Sequence, residues 1–195
     1  MDRQKYIEAL KQQLEPNIFK HSLAVEVCMA GLYNYFQANN LLSPDEPSKE
    51  EWLLAGLIHD IDYLGGFKAT HPQKTTEVLA KHGLIINESI HRIIKSHAPE
   101  LTGVQPRSKA EWSIFCADSL TGLIVATTLV YPSKKLADVK LSSVLKRFKE
   151  PKFAAGTRRE DINKCSLPEG LNLSLEKFIE ICLNSMKEIA SQIGL

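Results

Sequence analysis

No two cysteines in this sequence have C-x-x-C spacing. That excludes a zinc ribbon and a thioredoxin-type redox motif. The four that occur, Cys28, Cys116, Cys165 and Cys182, each sit in an apolar, helix-like context and read as reduced core residues. There is no P-loop, dinucleotide fingerprint or serine-nucleophile elbow, which removes the best-marked nucleotide-binding and acyl-transfer classes. No run approaches eighteen uninterrupted apolar residues, so no membrane span is expected. The opening residues, MDRQKYIEAL, are charged from the second position and hold no signal-peptide apolar region; a cytoplasmic location is the expectation. Aromatic residues make up only 7% of the chain, and the net charge is +1. Stacking platforms are therefore sparse, and direct nucleic-acid binding is not expected. Stretches that alternate apolar and polar residues are also missing, which argues against a sheet.

What is present is helical periodicity almost throughout. With 195 residues, 44% of them hydrophobic, the chain is sized for one domain with one core. Ser48-x-x-Glu51, Thr70-x-x-Gln73, Ser108-x-x-Glu111 and Thr157-x-x-Glu160 are capping-box patterns, each of which predicts a helix start. Gly83 after Lys81-His82 predicts a helix end. The pattern predicts helices near 2–14, 17–39, 48–60, 71–82, 87–97, 108–130, 141–148, 158–165 and 173–193, with loops at Ser43–Pro47 and Leu64–Ala69. The fold class is therefore all-α, a single compact bundle. The near-neutral total hides one asymmetry: Ser133–Arg159 holds nine basic residues against only Asp138 and Glu150. Such a segment is either a solvated face or an attraction for an anionic ligand.

Several polar residues fall where the periodicity demands apolar ones. Asp118 has Ile114, Phe115, Thr121 and Gly122 as its helical neighbours and no base beside it. A carboxyl in that position must be protonated, hydrogen-bonded or bound to a cation. His21 lies on the inner face of NIFKHSLAVEV. His59 and Asp60 close the apolar run WLLAGLIHD. His71 precedes Pro72, and His97 ends IHRIIKSH. His82 and His91 read as surface or structural residues. The other six come from separate helices or helix ends, and imidazole with carboxylate suits a divalent ion such as Mn, Fe, Ni, Co, Zn or Mg.

The order His … His-Asp … Asp, with the flanks FKHSLAVEV, LLAGLIHDID and CADSLTGLI, resembles the HD-domain superfamily of metal-dependent phosphohydrolases. The likeness covers about residues 17–130 and leaves 131–195 as a helical C-terminal extension. It implies an HD-type helical bundle with His21, His59, Asp60 and Asp118 as primary metal ligands. The THPQK … IIKSH portion is similar to the HDIG-type subset, which implies that His71 and His97 hold a second ion bridged by Asp60. The match is partial. Asp62 stands in place of the subset's glycine, and Tyr63 occupies the position of a glutamate that is catalytic in some nucleotidases of the superfamily.

The chemistry so implied is hydrolysis of phosphomonoesters or phosphodiesters, with nucleotide-like compounds as the expected small phosphorylated substrates. Asp60 or Asp62 would position the attacking water and accept its proton. Arg158 and Arg159, which open a predicted helix, and Lys68 and Arg107 are candidates for gripping phosphate, as Arg92 and Lys95 also are. Two other classes stay open: a di-iron oxygenase of the same superfamily, and a regulatory or binding module whose metal is structural. A homodimer is compatible with the helical surface, but no interface is legible.

Overall fold

A computed structural model describes residues 2–195, and every regular element among them is helical. The longer helices are α1 (Arg3–Gln13), α2 (Pro16–Ala38), α3 (Lys49–Ile58), α4 (Thr75–Lys81), α5 (Glu88–Ser96), the single turn α6 (Pro99–Thr102) and α7 (Lys109–Leu129). They are followed by α8 (Leu141–Phe148), α9 (Arg159–Asn163), α10 (Leu175–Glu188) and the short α11 (Ala190–Ile193). Three 3₁₀ turns, Gly65–Thr70, Leu136–Asp138 and Lys164–Ser166, fill connections between them.

The starts follow sequence chemistry. At α3 the Ser48 hydroxyl accepts from the Glu51 N–H while the Glu51 carboxylate accepts from the Ser48 N–H, a complete capping box. At α7 only half of the box forms. Ser108 caps the Glu111 N–H, but the Glu111 carboxylate turns instead to Arg92 and the Arg107 N–H. The other two predicted boxes do not form. Thr70 donates to the Phe67 carbonyl and Gln73 to the Leu101 carbonyl, so α4 begins at Thr75 rather than at 71. Arg158, not Thr157, is the N-cap of the five-residue α9. The predicted terminal helix is broken at Ile189, whose φ and ψ of −113° and 15° are not helical. The turn α6 was not anticipated.

Helix α2 is the hub and packs on α3, α7 and α10. Close approach of α2 and α3 depends on Gly56, where a Cβ would come within 2.9 Å of Met29 Cγ and 3.0 Å of the Glu26 Cα. Gly31 does the same for α2 and α10, since its Cβ would fall on the Ser185 hydroxyl. The C-terminal third is integral to the fold: one core runs from Tyr6 to Ile193 and includes Val144, Ile162, Phe178 and Met186. All four cysteines are buried and free, as the sequence implied. By length and composition α7 meets the test for a membrane-crossing helix, which the sequence reading did not anticipate. Most of that stretch is buried within the bundle, packed by α2, α5, α8 and α9, so its apolarity serves the core.

Candidate metal centre

Two of the predicted ligands stand at helix ends. His59 is the C-cap of α3 and His97 the C-cap of α5. A helix leaves its last carbonyls without partners. Each imidazole donates to a carbonyl of the last turn: His59 Nδ1 to Gly56 at 2.8 Å, and His97 Nδ1 to Ile94, which also accepts the His97 N–H. A carbonyl only accepts, so in both neutral rings the proton sits on Nδ1 and the Nε2 lone pair points away from the helix. This is why a buried helix finishes on a histidine. A carbonyl of its own last turn fixes the tautomer.

The other two rings are oriented in the same sense by different partners. His71 Nδ1 lies 2.6 Å from Asp62 Oδ1, and the second Asp62 oxygen accepts the Lys74 N–H at 2.8 Å. His21 Nδ1 lies 3.1 Å from the Thr121 hydroxyl, which gives its own proton to the Asp118 carbonyl and therefore accepts from the ring. All four Nε2 atoms then face inward.

They converge on three carboxylate oxygens. His21 Nε2 is 3.0 Å from Asp118 Oδ1, 3.2 Å from His59 Nε2 and 3.5 Å from Asp60 Oδ2. His59 Nε2 is 3.5 Å from Asp60 Oδ2 and 3.8 Å from Asp118 Oδ1. On the far side His71 Nε2 is 3.1 Å from Asp60 Oδ1 and 3.0 Å from His97 Nε2. Asp60 thus turns one oxygen to each group. The six residues divide into two sets sized for a cation, His21–His59–Asp118 and Asp60–His71–His97.

The chemistry of the donors fits a divalent ion. Two donors bound about 2.0–2.1 Å from one ion lie roughly 3.0–3.4 Å apart at octahedral to tetrahedral angles. Most separations within each set fall in that range or just beyond it. Two inward Nε2 lone pairs 3.0 Å apart repel unless a proton or a cation stands between them. Without a metal, protons must do so, and the surroundings of each ring decide where. Burial lowers the affinity of His71 for a proton, but hydrogen bonds to Asp60 and Asp62 outweigh it and raise the pKa to about 9. His97 has no such carboxylate, and burial takes it down to about 4. Burial alone would raise Asp60 and Asp118. The surrounding imidazoles overcome it and hold both well below the usual carboxylate range.

The centre floors a cleft of about 350 Å³ lined by Ile18, Tyr63, Lys68, Ala98, Leu101, Glu100 and Arg158 in addition to donor side chains. Arg158 donates from Nη2 to Asp118 Oδ2 at 2.9 Å and is steadied by Asp161 Oδ2 at 2.8 Å from Nε. Lys68 stands 5.0 Å above the Tyr63 ring.

Several of the residues singled out from sequence are placed elsewhere. Asp62 is fully buried behind His71 with both oxygens committed, so it positions a ligand and has no access to a water in the cleft. Arg159 points into the C-terminal segment, where its guanidinium donates to the carbonyls of Phe148, Glu150 and Phe153, among others. Its backbone N–H is also taken, by the Thr157 carbonyl. Arg107 lies before the start of α7 and outside the cleft lining; nine residues of helix separate Lys109 from Asp118, about 14 Å. Arg92 likewise is engaged with Glu111. Sequence reasoning missed Thr121 and Glu100. Thr121 had a signal, since it lies three residues after Asp118 on the same helical face. Glu100 had none, because only the turn α6 carries it to the cleft.

Comparison of the chain with protein-family models, with curated proteins and with solved structures finds no match.

Proposed function

We propose that this chain is a metal-dependent phosphohydrolase of HD type, acting on phosphomonoesters or phosphodiesters. The observation that supports it most is a pair of donor sets, with Asp60 of one turning its second oxygen to the other, at the floor of a cleft whose walls carry Lys68 and Arg158. His21, His59, Asp60 and Asp118 would hold one ion, and Asp60, His71 and His97 a second. Bound there, divalent ions supply Lewis-acid polarisation of a phosphoryl oxygen and a water acidic enough to attack at neutral pH.

The chain's own residues do the rest. Arg158 presents a planar fork beside the donors, and its present partners Asp118 and Glu100 are carboxylates that a phosphoryl group resembles in geometry. Lys68 adds a second positive charge at the opposite lining segment. The surrounding imidazoles favour the ionised form of Asp60 and Asp118, the form that donates to a cation. Among the residues lining the cleft, Glu100 is the carboxylate outside both donor sets and takes the proton-accepting role that Asp62 cannot fill. Ile18, Ala98 and Leu101 limit water around the reacting phosphorus.

Elemental analysis of the purified protein beside Asp118→Ala, followed by a panel of phosphomonoesters and phosphodiesters with added Mn, Co, Ni or Mg, tests the reading. Metal-supported phosphate release that disappears in the variant is expected. Arg158→Ala should raise KM by about tenfold, the loss of one charge-assisted contact. Bound metal with no turnover on any ester would overturn the assignment in favour of a metal-stabilised regulatory module. The four-imidazole, two-carboxylate set also suits iron. Iron together with oxygen-consuming turnover would move the assignment to a di-iron oxygenase.

A further inference from the structure

Three glycines lie inside the long helices, and two are explained by packing. A Cβ at Gly31 would strike Ser185, and one at Gly56 would strike Met29 and the α2 backbone. The third, Gly122 in α7, is different: a Cβ there would meet nothing within 4 Å. Glycine inside a helix is costly relative to alanine, so a helix interior normally holds one only where a side chain has no room. Here there is room, and it is open space.

The position of that space is informative. Gly122 is one helical turn beyond Asp118. It borders a hollow of about 400 Å³ that it shares with Asp118 and Arg158. It also borders a groove of about 380 Å³ between α2, α7 and the residues after α10. That groove reaches the donor cluster, because His21 and Thr121 line it, and its remaining walls include the aliphatic Ala24, Val125, Leu129 and Ile193. Asn17 and Lys20 add an amide and an ammonium to a lining that is otherwise largely aliphatic, and no Phe, Tyr or Trp ring among the described residues lines it to stack on a base. The Thr121 hydroxyl is already committed to Asp118 and His21.

We propose that Gly122 is a specificity-determining residue, keeping open the path from the donor cluster into this groove, and that the groove receives an alkyl or aryl group esterified to the phosphate. The proposal rests on the phosphohydrolase reading and names its substrate class: phosphoesters of apolar alcohols rather than of nucleosides. The phosphoryl head lies at Asp118 and Arg158, and the organic part crosses α7 at Gly122 and lies along Val125 and Leu129.

Titration calorimetry of manganese-supplemented protein with methylphosphonate and hexylphosphonate tests this without requiring turnover. The wild type should bind the hexyl compound at least about tenfold more tightly, because several buried methylenes each add affinity. Gly122→Leu should abolish that preference by weakening hexylphosphonate binding far more than methylphosphonate binding, with Gly122→Ala intermediate. Leucine is the better helix former and its Cβ meets no neighbour, so the variant should melt no lower than the wild type, which circular dichroism checks. Equal affinities in the wild type, absence of binding by either compound, or a Gly122→Leu loss shared equally by both compounds would overturn the proposal. Phosphate release from methyl and hexyl phosphate separates the two claims. Turnover without chain-length preference sinks the groove alone, whereas chain-length-dependent binding without turnover sinks the hydrolase alone.

Discussion

The two donor sets meet at Asp60 but are built in opposite ways. His21 projects from the second turn of α2 and Asp118 from the middle of α7, the two longest helices, and their side chains are 23% and 18% exposed. His71 comes from an irregular stretch between a 3₁₀ turn and α4, and it and His97 are almost wholly buried. The outer partners differ too. Ring orientation in the first set rests on a neutral hydroxyl, Thr121, and a carbonyl, and in the second on a carboxylate, Asp62, and a carbonyl. A ligand carried by a packed helix is already positioned. A ligand carried by a loop needs a charge behind it, and a buried charge is tolerated there because both Asp62 oxygens have donors.

Replacing the shared residue should erase the contrast. Asp60→Ala removes a donor from both sets, so elemental analysis should find neither ion retained after desalting. Phosphate release should fall by more than the roughly 100-fold that loss of an outer partner produces. Asp62→Asn should separate the halves. It leaves the first set intact and weakens the second by about 10- to 100-fold in metal affinity, readable as loss of one equivalent in a competitive chelator titration. An equal loss at both sites would refute the division drawn here.

Acidity should also divide them. A metal entering the second set must displace the proton that His71 holds up to about pH 9, so its affinity should rise by up to about tenfold per unit from pH 6 to 9. The metal-free fold should show the complementary sign. His71 binds its proton more tightly folded than unfolded, so its contribution to stability is complete below about pH 6.5 and is lost as pH rises through about 9. His97, held near 4, works against stability as pH falls from about 6.5 toward 4. Denaturant midpoints of chelator-treated protein across this range, with and without His71→Gln, measure the first effect. The smallest change is expected from Thr121→Val. It removes a neutral acceptor at roughly constant volume and should weaken the first site by only a few-fold, consistent with about 1 kcal/mol for one neutral hydrogen bond.

Much of the centre was legible because its donors violate a local rule. Asp118 among Ile114, Phe115 and Thr121, and His21 beside Ile18 and Ala24, are polar where a helical face should be apolar, and that conflict is visible in one chain of letters. The elements were legible for a similar reason: Ser48 and Glu51 act across three residues, and α8 was placed at Leu141–Phe148 as predicted. What failed depended on distant partners. Thr70 and Gln73 carry a capping pattern, yet their side chains find Phe67 and Leu101 instead. Arg158 and Arg159 are adjacent and chemically equal. One reaches Asp118 and the other vanishes into backbone carbonyls, and no local signal distinguishes them.

Composition and periodicity alone therefore settled that the chain is a helical bundle and that six inward polar residues demand a common compensation, because both follow from interactions within a few residues and from the cost of burying unpaired polar groups. Tertiary packing alone decided that Asp60 faces two ways, that Asp62 stands behind His71, and that open space lies over Gly122. Those outcomes depend on which side chains meet across helices, and such meetings are set by the closing of the whole core rather than by any one segment.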